Sequence, residues 1–221
     1  MKLVDRLDLI DDRQPRSAAM NMALDEALLH TVSEPTMRTY CWERPAVSFG
    51  YFSAFREAEL CADGRELVRR WTGGGIVLHG ADLTYSVIVP RNHSLWSVAA
   101  PVIYANVHAA LKSALAAIGI HAALANSASP PVSDACFANP VRADLVFEGR
   151  KIAGAAQRKT RIGILQQGSV QAGPLPNAFP SGFAQNLADS ITEKPLDDRV
   201  VEAARVIAQN KYGRAEWLMR R

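Results

Sequence analysis

The sequence predicts an α+β domain in which a mainly antiparallel, mixed β-sheet is flanked by helices. Strand-like runs occur in groups, with a few helices among them, and do not alternate strictly with helices as in a doubly wound fold. The chain has 221 residues and a hydrophobic content of 48%, enough to bury one sizeable core. We therefore expect residues 1–221 to form a single domain with no accessory domain at the carboxyl end.

Two long helices and a final amphipathic helix are predicted from caps and apolar spacing. Ser17 can cap a helix from Ala18 to about His30, which directs its acidic pair Asp25-Glu26 away from the apolar face. Pro101 suits the first turn of a helix that Gly119 ends and that should cover one face of the sheet. The last helix spans 197–210, and Ser53 opens a brief one.

Strands are predicted where β-branched and aromatic residues lie between turn signals. They cover residues 37–42, 46–51, 66–70, 76–79, 83–89, 144–147, 151–158 and 162–170. Because 66–70, 76–79 and 83–89 follow one another closely, we expect antiparallel pairing among them. Glu148-Gly149 should form a hairpin turn.

Charge and cysteine content exclude several classes of protein. A formal charge of +3, spread evenly, is too small to indicate nucleic-acid binding. The three cysteines, Cys41, Cys61 and Cys136, are widely spaced, which argues against a disulfide framework or a metal site. With no leader and no apolar stretch of about 20 residues, a cytoplasmic protein is expected.

A glycine triplet between two predicted strands is the first candidate for ligand binding. Arg69-Arg70-Trp71-Thr72 precedes Gly73, Gly74 and Gly75, and the run continues to His79. Backbone N–H groups without neighbouring side chains can approach a carbonyl or an anion, and arginines can bind oxygens. The alternative is a flexible turn beside solvated arginines, with His79 as an ordinary strand residue. The apolar Trp71, Ile76 and Val77 could line a slot for an unbranched tail.

Cys136 and Lys151 are the candidates for covalent chemistry. Cys136 ends a polar loop where a substrate can reach the thiol, although most cysteines are inert packing residues. Lys151 starts a run of small residues in which Gly154 leaves room for a ligand; alternatively, it is an edge-strand lysine. A thiol, a lysine and a glycine loop together suffice for acyl transfer from a thioester, with the loop and Lys151 holding the developing oxyanion.

Four segments, in this order, resemble the lipoate-protein ligase and octanoyltransferase family, which is related to biotin-protein ligases. They are residues 21–28, 40–51, 69–79 and 149–154. The resemblance implies that Lys151 contacts the acyl carbonyl and that Arg70, Gly73, Gly74, Gly75 and His79 shape the substrate tunnel. It also implies that Cys136, which precedes Gly149-Arg150-Lys151, is the nucleophile.

Two activities share this family's scaffold. A cysteine-dependent octanoyltransferase needs no cofactor; it takes the acyl group from an acyl carrier protein and gives it to a lysine of a lipoyl domain or glycine-cleavage carrier. The resemblance favours this activity, with either an octanoyl or a lipoyl group as the acyl group transferred. The alternatives are a ligase that uses ATP and Mg to form lipoyl-AMP, for which Asp144 would help bind nucleotide, and a non-catalytic acyl- or biotin-binding module. Gln166-Gln167 stands where the family usually has a histidine, which leaves no obvious general base.

Overall fold

The computed structural model describes residues 2–126 and 140–220. The described strands are β1 (Val4–Arg16), β2 (Thr36–Trp42), β3 (Ala46–Phe49), β4 (Glu66–Arg69), β5 (Val77–His79), β6 (Leu83–Pro90), β7 (Ala123–Leu124), β8 (Leu145–Phe147), β9 (Arg150–Lys159), β10 (Gly163–Val170) and β11 (Ala188–Glu193). The described helices are α1 (Ala18–Thr31), α2 (Phe55–Leu60), α3 (Ala100–Ala116), α4 (Phe179–Leu187), α5 (Asp198–Ile207) and α6 (Ala215–Leu218).

The described strands form a large mixed sheet and a small one. The large sheet has the order β11-β1-β2-β6-β10-β9-β8-β7, in which β1 pairs parallel with β11 and β2 while the remaining neighbours are antiparallel. The small sheet has the order β4-β3-β5. The predicted α+β class with a mainly antiparallel, mixed sheet is confirmed.

Helices cover both faces of the large sheet. Side chains alternate along β10, so that Ile164 packs into the core under α3 and α4, while Leu165 packs into the core under α1 and α5. Within the described ranges, no helix is long and apolar enough to cross a membrane.

Two local predictions, a helix cap and a hairpin turn, are confirmed. The Ser17 hydroxyl accepts a hydrogen bond from the Met20 amide at 3.3 Å and caps α1. Glu148 and Gly149 have φ angles of 49° and 76°, as expected for a two-residue hairpin turn between β8 and β9. This hairpin brings Lys151 opposite Val146.

The predicted antiparallel pairing among the three consecutive strands was wrong. The intervening segment 70–76 carries the chain across β3 instead of turning tightly, so β4 and β5 lie on opposite edges of β3, and β4 is parallel to it. The third strand, β6, belongs to the large sheet. Five of the strands and helices named above were not predicted: β1, β7, α4, β11 and α6.

Candidate active site

The Arg70 side chain binds the backbone of residues 72–75, which we call the glycine loop. Its guanidinium donates to the carbonyl oxygens of Gly73 at 3.0 Å and Gly75 at 2.9 Å. It also donates a hydrogen bond to the hydroxyl oxygen of Ser48 at 2.7 Å. Gly74 has a φ of +83°, a conformation that favours glycine. The Arg70 side chain therefore fixes the loop conformation as well as lining the cleft described below.

Gly50 lets the turn after β3 lie directly on the glycine loop. A Cβ atom at this position would stand 1.9 Å from the Gly74 carbonyl oxygen and 2.8 Å from the Gly73 carbonyl carbon. Both obstacles are backbone atoms, so a side chain could not be accommodated by a rotamer change.

Replacing Gly50 with alanine should lower the free energy of unfolding by about 3 kcal/mol or more, because the glycine loop must move. Gly182→Ala is the matched control, since no atom lies within 4 Å of the added carbon. Chemical denaturation of both variants tests the prediction. Equal stability of the two variants would show that the loop does not depend on this contact.

Lys151 and Asp144 form a buried ion pair beside Gly154. The ammonium nitrogen lies 2.8 Å from Asp144 Oδ2, and both side chains are almost wholly shielded from solvent. A Cβ atom on Gly154 would lie 2.4 Å from Lys151 Cε and 2.6 Å from its Nζ. Gly154 thus provides the space that the lysine occupies, which explains the glycine in this strand.

Asp144 is held by three donors. Besides Lys151, the Val141 amide donates to Oδ2 at 2.7 Å and the Tyr104 hydroxyl donates to Oδ1. Burial and the neighbouring carboxylate raise the pKa of the Tyr104 hydroxyl well above its usual range, so it remains a donor. The same hydroxyl accepts from the Ala155 amide at 3.1 Å. Sequence reasoning missed Tyr104, because nothing local marks it on α3.

Tyr104→Phe should reduce kcat for the acyl transfer expected from the sequence about tenfold with little change in KM, because losing about 1–2 kcal/mol of hydrogen bonding would leave the Asp144–Lys151 pair less well placed. Phenylalanine keeps the ring that packs on His108, with 4.3 Å between ring centroids. Steady-state kinetics of the purified variant provide the check. A change in KM alone would contradict a positioning role.

His79 is fixed from both ring nitrogens. Nδ1 lies 2.8 Å from Asp82 Oδ2, and Nε2 lies 2.6 Å from Ser48 Oγ. The carboxylate accepts from Nδ1, and the Ser48 hydroxyl is the partner of Nε2. The indole of Trp42 stacks on the ring at 4.1 Å between centroids. These contacts fix the orientation of the His79 ring.

Asp82 is stabilised as a carboxylate. Burial raises the pKa of its carboxyl, but His79, the Ser169 hydroxyl and the Gly80 amide together outweigh burial and hold the pKa below its usual range. The Thr84 hydroxyl also donates to Asp82, at 2.9 Å. This carboxylate therefore keeps His79 in place across the neutral pH range.

Asp25 and Glu26 of α1 are buried, so the prediction that they face away from the packed side of the helix was wrong. Asp25 accepts from Arg38 at 2.9 Å and from the Gln167 amide at 2.7 Å. The side-chain oxygen of Gln167 in turn accepts from the Thr72 hydroxyl at 2.8 Å. Gln167 therefore connects the glycine loop to the buried Asp25–Arg38 ion pair. The polar partners explain why a carboxylate is tolerated there.

A cleft lies between Arg70 and Val77, which flank the glycine loop, and strands β9 and β10. It encloses about 410 Å³ including its mouth. Four of the predicted residues line it, namely Arg70, Val77, His79 and Gly154. Its remaining lining residues are Met22, Tyr40, Trp42, Ser48, Thr84, Ala155, Ala156, Gln167, Gly168 and Ser169.

The other predicted residues border the cleft or lie outside the described part. Gly73 and Gly74 line an adjoining open groove beside α3, which shares Ala155 and Ala156 with the cleft. Gly75 accepts from Arg70, while Lys151 and Asp144 lie against Gly154. Cys136 falls in 127–139, outside the described residues. Among the described residues, no group of three or more His, Cys, Asp or Glu side chains could hold a metal ion.

The family profile described as the lipoyl protein ligase A/B catalytic domain matches residues 17–209. The chain belongs to this family. The resemblance inferred from the four segments is thereby confirmed. A lipoate-protein ligase or octanoyltransferase fold accounts for the glycine loop, the Lys151 strand and the cleft between them.

Curated relatives are named octanoyltransferases. LipM of Brevibacillus brevis is 32% identical, with 93% of this chain and 96% of that protein aligned. LipM of Staphylococcus aureus is 40% identical over 68% of this chain. That second alignment spans 60% of the S. aureus protein, so the chain covers less than two thirds of this relative.

Solved structures with the same fold are lipoate ligases. A T. acidophilum protein described as a lipoate protein ligase, solved with lipoic acid, has a TM-score of 0.76 at 22% identity, with 98% of this chain and 99% of that chain covered. Lipoate-protein ligase A solved with ATP has a TM-score of 0.75 at 23% identity, with 98% of each chain covered. At these identities the likeness concerns the fold.

Proposed function

We propose that this protein is an octanoyltransferase of protein lipoylation. It takes an octanoyl group from an acyl carrier protein, holds it as a thioester on Cys136, and passes it to a lysine of a lipoyl domain or glycine-cleavage carrier. We place this activity in the cytoplasm. The names of the LipM relatives support octanoyl transfer.

The observation that carries the proposal is the Lys151 ammonium, which is buried against Gly154, a residue that lines the apolar cleft. A positive group at such a wall can stabilise negative charge that develops on a carbonyl oxygen. Asp144 and Tyr104 hold it in place, so it need not reorganise during the reaction.

The cleft suits an unbranched acyl chain. Met22, Trp42 and Val77 contribute apolar lining, and the small Ala155 and Ala156 leave the β9 side open. A tail in this cleft would place its carbonyl end toward Gly154 and Lys151.

The chemistry proceeds in two balanced steps. The Cys136 thiolate attacks the thioester carbonyl, the tetrahedral oxyanion collapses, and the carrier leaves as its thiolate, which takes up a proton. The acceptor lysine amine then attacks the acyl-cysteine, forms an amide, loses a proton and releases the Cys136 thiol. One thioester replaces another in the first step, so no nucleotide is consumed.

The ligase alternative would require Asp144 to bind a nucleotide and its Mg ion. In the described structure both oxygens of Asp144 already accept bonds, from Lys151, Val141 and Tyr104. A carboxylate engaged in this way orients a lysine better than it ligates a metal ion, which supports the transferase.

The test is nucleotide-free transfer. Wild-type protein incubated with octanoyl carrier protein and an apo lipoyl domain, without ATP, should add an octanoyl mass to the lipoyl domain. Parallel reactions contain free octanoate or lipoate with ATP and Mg. Modification only in the ATP reactions would establish the ligase, and retention of the acyl group without transfer in any reaction would establish a binding module.

A further inference from the structure

A cluster of cations and aromatic rings lies beside the glycine loop. We define it as the basic face: Tyr51, Phe52, Trp71, Arg158, Lys211, Arg214, Trp217 and Arg220. Arg158 lies 4.7 Å from the Tyr51 ring centroid and 4.9 Å from that of Trp71. The guanidinium carbon of Arg220 lies 4.2 Å from the Tyr51 ring centroid and 5.2 Å from that of Trp217. Stacking of this kind holds the guanidinium groups in fixed positions.

The basic face carries an excess of positive charge. Lys211 is paired with Glu26 at 2.5 Å, and Arg214 with Glu216 at 3.3 Å. Among the described residues, no ion pair joins Arg158 or Arg220 to a carboxylate. A protein with an acidic surface would supply the missing counter-charges.

An exposed aromatic residue borders these charges. Phe52 is 87% exposed and meets the Tyr51 ring edge-on at 4.9 Å between centroids. Isolated apolar residues on surfaces are common, but an aromatic ring beside clustered arginines is the composition typical of interface anchors. The groove formed by Asn210, Lys211, Arg214, Glu216, Trp217 and Arg220 lies in the same face.

The face is joined to the active site through the glycine loop. Arg158 donates to the Trp71 carbonyl at 3.1 Å, and the Tyr51 amide donates to the Thr72 carbonyl at 2.9 Å. None of its cations lines the acyl cleft. A partner bound there would therefore sit beside the cleft and would need a long arm to deliver its acyl group.

We propose that the basic face is the docking surface for the acyl donor, a carrier protein with an acidic surface that presents its thioester on a long flexible arm. This inference rests on the proposed function, because it presumes a carrier-bound donor. The acceptor is the less suitable occupant: its lysine side chain is short, so its domain must lie over the cleft itself.

The experiment compares two double charge reversals. Arg214→Glu with Arg220→Glu alters the basic face, whereas Arg199→Glu with Arg205→Glu changes the net charge equally at exposed positions of α5. Each protein is assayed with octanoyl carrier protein and with the octanoyl thioester of N-acetylcysteamine, a small donor that needs no docking surface. The KM for the acceptor lipoyl domain is measured separately.

The first double variant should lose about tenfold in kcat/KM for the carrier-bound donor at low salt, with the difference shrinking as ionic strength rises. Its activity on the small thioester and its KM for the acceptor should match wild type, and Phe52→Ala should reproduce part of the loss. The α5 variant should behave as wild type.

Equal losses in both double variants, a loss with the small thioester, or an increase in KM for the acceptor alone would each overturn the proposal. If wild type transferred no octanoyl group from either donor, the proposed function itself would fail. That result is distinguishable, because it does not depend on the variants.

Discussion

Lys151→Met should reduce octanoyl transfer about 100- to 1000-fold, the usual effect of removing one donor to a developing oxyanion. It should also lower the free energy of unfolding by about 3–5 kcal/mol, because the Asp144 carboxylate would remain buried without its partner. Transfer assays and chemical denaturation measure the two effects. The exposed Lys112→Met is the control and should change neither quantity.

A double variant separates the two effects of Lys151. Lys151→Met with Asp144→Asn removes both charges, so most of the lost stability should return. Transfer should stay low, because the cation that faces the carbonyl is still missing. Recovery of transfer together with stability would show that Lys151 serves only the fold.

Cys136→Ala should abolish transfer from carrier-bound octanoate, because no thioester can form on the enzyme. Intact-mass measurement after incubation with octanoyl carrier protein should show an added octanoyl group on wild type, removable by hydroxylamine, and none on the variant. Cys41→Ala and Cys61→Ala are the matched controls and should still be acylated. Adenylate formation from ATP and lipoate by Cys136→Ala would instead establish the ligase.

Local sequence signals were sufficient for much of the fold. The Ser17 cap and the Glu148-Gly149 turn are short-range features, and both are confirmed. Strand β1 was missed because its acidic residues interrupt the alternation of apolar positions. The pairing of β4 and β5 with opposite edges of β3 depends on a crossing that no local pattern encodes.

The contacts of the site also fall into two groups, those between residues close in sequence and those between distant elements. Lys151, Asp144 and Gly154 lie within one hairpin, so their proximity follows from the sequence. Tyr104 meets Asp144 across 40 residues, and Gln167 meets Asp25 across 142. Such partners are selected by packing in the folded state. The burial of Asp25 and Glu26 was mispredicted for that reason, since their partners Arg38 and Lys211 come from other elements.

The proposed transfer requires a covalent acyl group at Cys136 that can be passed on to the acceptor. Wild-type enzyme loaded with octanoate, freed of donor and of nucleotide, should pass its octanoyl group to an added apo lipoyl domain in a single turnover. The enzyme should lose the octanoyl mass as the acceptor gains it, at a rate no slower than steady-state turnover. Retention of the group on the enzyme, or its release as free octanoate, would contradict transfer through Cys136.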